Sequence, residues 1–188
     1  MEQEYTITAF TENAVGLLNR ITIIFTRRHV NIESLTVSAS ALKGIHKFTI
    51  VVNTTHEQAE KIVNQIAKLV EVVMSFYHTN EDIVYQELAL YKVPTKALLE
   101  DNKVEEIVRT HAARILEVTP DFTAIELTGY KPEILELFKR LDAACGVQQF
   151  TSSGRIAIYR GKHELLTEHL AKLAEAHGEK PIERVNGE

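Results

Sequence analysis

Glu12-Asn13-Ala14-Val15-Gly16-Leu17-Leu18-Asn19-Arg20-Ile21, followed at 31–37 by Asn31-Ile32-Glu33-Ser34-Leu35-Thr36-Val37, is the stretch on which the fold turns. Upstream of it, Tyr5, Ile7 and Ala9 alternate with Thr6, Thr8 and Phe10, the period of two that marks a strand over 4–11. Leu17, Leu18, Ile21, Ile24 and Phe25 then fall at i, i+3, i+4 and i+7, so the spacing predicts an amphipathic helix to about Arg28. Gly16 lies in the first turn of that helix, where unsatisfied amides and the positive dipole end make a place for a carboxylate-sized anion. A glycine there removes the side chain that would block close approach. Asn13 can cap the helix, or can offer its carboxamide to an ammonium group. A helix start that merely happens to use Asn and Gly fits the same residues.

Outward from this stretch the pattern repeats. Ser34 to Ser40 reads as a strand, Lys43-Gly44 as a turn, and Phe48 to Asn53 as the returning arm of a hairpin. Thr55 stands as a cap before a helix over 56–68, with Ala59, Ile62, Val63 and Ile66 in register. Val70 to Tyr77 is β-branched and aromatic, a strand composition. Strand, helix, strand, strand, helix, strand is the split-βαβ sandwich, whose antiparallel sheet carries two helices on one face.

The polar run His78-Thr79-Asn80-Glu81-Asp82 interrupts the pattern, and the same order then begins again. Strands are predicted at 84–93, 114–118 and 122–128, with helices over 103–113 and from Pro132 onward. Val147 to Thr151 and Arg155 to Tyr159 are expected to close the unit as a hairpin around Ser153-Gly154. A final helix over 163–177 carries Leu166, Leu170 and Leu173 along one stripe; it either pads the second sheet or serves as an interaction helix. The fold class is therefore α+β, two tandem ferredoxin-like (βαββαβ) sandwiches. The expected division is 1–79, 83–161, and 162–188 as a C-terminal helix and tail.

Composition narrows the function. Apolar residues make up 45% of the 188, enough for a real core. Lys and Arg number 21 against 26 Asp and Glu, a net charge of -5 that argues against binding nucleic acid, which needs a basic face. Arg27-Arg28-His29, the one short basic cluster, fits a helix C-terminus. Cys145 is the single cysteine and reads as a small apolar filler. The acidic N-terminus lacks the order of a signal peptide, and no apolar run approaches the ~20 residues that span a bilayer, so a cytoplasmic protein without membrane contact is expected.

No catalytic constellation emerges: there is no Gly-rich phosphate loop, HExxH pair or nucleophile elbow. The eight histidines lack metal-ligand spacing, and His111 on an apolar stripe reads as a satisfied core histidine. Glu105, Glu106 and Asp121 fall on surface or turn positions. No catalytic residue, metal site or cofactor site is predicted. Ile23 lies about 200° around its helix from Ile21, on the polar face with Asn19 and Thr26, and is a candidate contact with another subunit.

The pattern E-N-x-x-G-L-L-x-R-I followed by N-I-E-S-L-T-V resembles the ACT domain of acetolactate synthase small regulatory subunits. The second half resembles the same family through Glu87-Leu88-Ala89-Leu90, Ile115-Leu116-Glu117-Val118-Thr119-Pro120, Ser153-Gly154 and Arg160-Gly161. The resemblance covers about 4–161 and makes 1–79 an ACT domain for effector binding and dimerisation. It implies a non-catalytic subunit that activates the acetolactate synthase catalytic (large) subunit and mediates feedback by a branched-chain amino acid, valine foremost. It implies a homodimer through ACT domains, with the effector at the interface. Carried over by position, one chain contributes Asn13, Ala14, Val15, Gly16 and Leu17, and its partner contributes Asn31 and Ile32. Thiamine diphosphate, magnesium and FAD would belong to the catalytic subunit, leaving this chain without a cofactor.

Two positions depart from the family pattern. Val15 stands where many relatives carry a small residue, and Ser152 where they often carry Arg. Two other readings compete. A free-standing ACT regulator of transcription or translation would need an aromatic-basic sheet face for RNA. A small acylphosphatase-like enzyme would need an arginine in the loop that here holds Asn13 and Gly16.

Overall fold

The period-2 segment at the N-terminus forms β1 (Glu2–Glu12), and the computed structural model describes the chain over residues 1–100, 102–161 and 165–177. The first unit continues with α1 (Leu17–Arg27), β2 (Ile32–Ala39), β3 (Ile45–Thr55), α2 (His56–Ile66) and β4 (Val72–His78). Its antiparallel sheet runs in the order β2-β3-β1-β4, so β2 and β4 are the edges. Alternation in β1 sorts the two faces as expected. Tyr5, Ile7 and Ala9 meet Leu17, Ile21 and Phe25 of α1 and Ala59, Ile62 and Ile66 of α2 in one buried cluster. Thr55 caps α2, its hydroxyl accepting the Gln58 amide at 3.3 Å.

The second unit contains β5 (Ile83–Pro94), α3 (Thr95–Glu100), α4 (Asn102–Thr110), β6 (Arg114–Val118), β7 (Phe122–Gly129), α5 (Lys131–Cys145), β8 (Gln149–Ser152) and β9 (Ile156–Tyr159). Ala89, Tyr91 and Val93 of β5 pack against Val104 and Val108 of α4 and Ile134, Leu137 and Leu141 of α5. Pro132 sits in the first turn of α5, and the Glu133 carboxylate accepts the Tyr130 amide at 2.7 Å. The short α3 was not foreseen. The fold class is as predicted, α+β with two ferredoxin-like units.

Two expectations are corrected. First, β8 and β9 do not form a hairpin. Both pair with β5, β8 through Ala89↔Ser152 to Lys92↔Gln149 and β9 farther along the same strand. They are one edge strand interrupted by a bulge, and the Ser153 hydroxyl accepts the Leu88 amide at 2.9 Å in place of a backbone oxygen. Arg155 explains the break. Its side chain is only 2% exposed, with its guanidinium 3.8 Å over the Tyr85 ring and 3.9 Å from a buried Glu87 carboxylate. A hairpin would turn that charge outward.

Second, α6 (Leu165–His177) does not pad the second sheet. Leu166 is fully buried with Phe10, Leu42 and Ile45, and Leu170 packs beside it, so α6 covers the face of the first sheet opposite α1. By contacts the chain divides inside strands, at Val84/Tyr85 in β5 and Ile156/Ala157 in β9. The described residues from Ala157 onward belong to the first unit, because the sheet face that Phe10 shares is too apolar to leave uncovered. Residues 162–164 and 178–188 of the expected C-terminal helix and tail lie outside the described residues.

Candidate effector site

The loop between β1 and α1 is built almost wholly by backbone. A register shift between Phe10 and Thr11 leaves one extra residue on β4, pairing resumes at Thr11↔Val72, and the Glu12 amide donates to the Glu71 carbonyl at 2.9 Å. The Ala14 amide then donates to Glu12 O, and the Leu17 amide to Ala14 O at 3.3 Å, closing a tight turn. Gly16 completes it at φ +80°, a left-handed conformation that ordinary residues avoid. From there the Arg20 amide donates to Gly16 O and the helix begins.

Gly16, not Asn13, occupies the N-cap position, and no side chain caps α1. The amides of Gly16, Leu18 and Asn19 therefore lack an intrahelical acceptor by position, at the positive end of the helix dipole. Asn13 and Val15 are exposed, Val15 completely, while Ala14 and Leu17 turn their side chains into the core. Of the five loop residues, Ala14 and Leu17 thus fix the loop's position and Asn13, Val15 and Gly16 form its accessible surface. Arg20 binds the Glu71 carboxylate at 2.5 Å, holding it below the usual carboxylate range, and so pins the first turn of α1 to the segment before β4.

Asn31 and Ile32 stand elsewhere. Asn31 is exposed with its amide nitrogen donating to Glu33 at 3.3 Å, and Ile32 is half-buried at the start of the edge strand β2. Between them and Gly16 runs the whole of α1, 11 residues or about 16 Å of helix. One chain does not bring the two groups together on an amino-acid-sized ligand. The later motif residues are structural: in the second unit Glu87 faces Arg155 and Ser153 stitches the bulge, and in the first unit Arg160 donates to the Asp82 and Ile83 carbonyls.

No group of His, Cys, Asp and Glu among the described residues could hold a metal ion. The Cys145 thiol donates to the Leu141 carbonyl at 3.2 Å, and burial pushes its pKa up, away from a reactive thiolate. The His111 ring nitrogen lies 2.8 Å from the Ile107 carbonyl, a satisfied position at the end of α4. Sequence reasoning missed the buried Arg155; its one signal is an arginine directly after a turn pair, which also suits an exposed hairpin.

Two family models match the chain in tandem. An acetohydroxyacid synthase (AHAS) small subunit-like ACT domain model covers 7–74, and a model described as the small subunit of acetolactate synthase covers 86–161. The acetolactate synthase small subunit of Mycolicibacterium smegmatis is 32% identical over 157 residues, 84% of this chain and 91% of that protein. The chain belongs to the acetolactate synthase small-subunit family. The Bacillus subtilis small subunit is 33% identical over 159 residues, 84% of this chain and 91% of its own. The crystal structure of the Thermotoga maritima small subunit superposes with a TM-score of 0.76 at 26% identity, covering 86% of this chain and 99% of that one. Among the described residues no helix is long and apolar enough to cross a membrane.

Proposed function

We propose that this chain is the regulatory subunit of a cytoplasmic acetolactate synthase, activating the catalytic subunit and lowering that activation when a branched-chain amino acid, valine first, binds. The observation that carries the site is the uncapped N-terminus of α1 behind Gly16. The amino acid's carboxylate takes the amides of Gly16, Leu18 and Asn19, and the Asn13 carboxamide meets its ammonium. Asn31 and Ile32 of a second copy complete the site, because α1 separates them from the loop of their own chain. The exposed edge of β2 supports pairing of two sheets side by side. Thiamine diphosphate, magnesium and FAD belong to the catalytic chain.

The coupling is a population shift. Effector binding favours one dimer arrangement, and a difference of about 1–3 kcal/mol between two states suffices for useful regulation. The test mixes the chain with its catalytic subunit and assays acetolactate formation with and without valine. A rise in rate that valine reverses supports the reading. Activation without a valine effect keeps the subunit role and moves the effector to leucine or isoleucine, with Val15 as the cause. Absence of both activation and co-elution overturns it. Gly16→Asp should abolish feedback and spare activation.

A further inference from the structure

The face of the first sheet opposite α1 and α2 is closed by α6 through a narrow apolar contact. Leu166 is fully buried among Phe10, Leu42 and Ile45, and Leu170 packs beside it with Val73 and Phe76. From this cluster the rings continue. Phe76 lies 5.0 Å from His78, and the His78 ring stacks on Tyr159 at 4.7 Å and 15°. Tyr159 in turn lies against the Gly161 backbone, where an added Cβ would collide with its ring. Phe76 thus joins His78 to the residues that seat α6. A cavity of about 240 Å³, lined in part by Phe76, His78, Tyr159 and Leu165, remains beside the latching rings, so the closure there is incompletely packed.

We propose that His78 and Tyr159 form an acid-opened latch: the neutral imidazole keeps the C-terminal segment closed, and its protonation releases α6 from the first sheet. Nε2 of His78 is buried without a hydrogen-bond partner among the described residues. A neutral imidazole can leave that nitrogen bare. The imidazolium carries N–H on both nitrogens and sets a charged donor where no acceptor stands.

Charges on the surrounding elements divide. From β3, Lys47 donates to the Ala157 carbonyl, and its like charge disfavours the imidazolium. In the turn before β5, Asp82 favours it, while its carboxylate accepts the Thr79 amide at 3.0 Å and the Thr79 hydroxyl at 2.8 Å. Arg160 anchors that turn through the Asp82 and Ile83 carbonyls, and β1 sets the uncharged Thr6 opposite His78. Burial outweighs the other effects and favours the neutral ring. Lifting Tyr159 lets water reach the imidazolium, so the open segment takes the ordinary pKa near 6.5 and the closed one a lower value. The opening constant therefore rises about tenfold per pH unit as pH falls from about 6.5 to the closed value, and levels off below it. What opens is the apolar face of Phe10, Leu42 and Ile45.

Methyl NMR on the full chain from about pH 7.5 to about 5, with the fluorescence of anilinonaphthalene sulfonate as a probe of exposed apolar surface, tests this. The Leu166, Leu170 and Ile45 methyls should shift with the midpoint of the His78 ring protons, and dye fluorescence should rise several-fold. Ile62 of α2, on the other face of the same sheet, should not move. His78→Phe should keep α6 seated and remove the acid step. Tyr159→Phe should preserve the step, and Tyr159→Ala should release α6 already at neutral pH. Replacing His46, His163 or His169 by Gln should leave the midpoint unchanged. The latch is overturned if Leu166 stays seated while His78 titrates, or if the step survives in both His78→Phe and Tyr159→Ala. A matching shift at Ile62, which marks acid unfolding of the whole unit, or loss of the step in a Gln variant, overturns it equally.

Discussion

Gly16 shows how little separates a turn residue from a ligand site. A Cβ built there meets nothing within 4 Å, so space does not demand glycine; the φ of +80° does. Gly16→Ala should therefore cost about 1–2 kcal/mol, the price of the left-handed conformation, read as a lower urea midpoint with an unchanged slope. Asp tolerates that conformation better than Ala, which makes Gly16→Asp a test of charge more than of folding. His78 makes a second prediction. Burial holds its pKa below the ordinary 6.5, the Lys47 charge acts in the same direction, and Asp82 opposes them. The fold thus prefers the neutral imidazole stacked on Tyr159. Its contribution is complete above about pH 6.5 and is lost as pH falls through the lower folded value, because the unfolded chain then binds more protons. Thermal melts of His78→Phe should lose less stability than the unsubstituted chain between roughly pH 7 and 5. Equal acid slopes would show that His78 is not the group responsible.

Elements differ in how plainly the sequence declares them. β1, α1 and α2 are legible because a period of 2 or 3.6, a glycine and a threonine cap all agree, and Thr55 does accept the Gln58 amide. The β8–β9 segment misleads for a physical reason: Ser-Gly serves equally as a hairpin turn or as a bulge, and only the burial of Arg155 against Tyr85 and Glu87 decides. In α6 the stripe is legible but its target is not. An amphipathic helix states that it must cover apolar surface, not which sheet it covers. The clue lay in Phe10, an aromatic on the β1 face that α1 and α2 leave open. Leu166 is fully buried there, so Leu166→Ala should cost about 2–5 kcal/mol. Amide exchange should quicken in α6 and at Leu42 and Ile45, and not in α5. Exchange quickening in α5 instead would place the helix on the wrong sheet.

At the scale of the whole molecule, the candidate site is half legible from one chain. The loop at 13–17 is contiguous and its chemistry can be read from a glycine before a helix, whereas the roles proposed for Asn31 and Ile32 require a second copy. That division yields a decisive prediction. Asn13→Ala and Asn31→Ala should each abolish valine binding as homodimers, since every site then lacks one of its two contributors. In a dimer with one chain of each kind, one site combines both lesions and the other combines an intact loop with an intact Asn31. Mixing the variants in equal amounts, with time for exchange, makes half the dimers mixed, and each regains one of its two sites. Calorimetry should then recover about a quarter of the original sites at the original affinity, as two-fold symmetry requires. If both residues served a site within one chain, every chain in the mixture would carry a lesion and nothing would be recovered. The 11-residue length of α1 argues for recovery, because about 16 Å of helix lies between the loop and the segment that leads to Asn31 of its own chain.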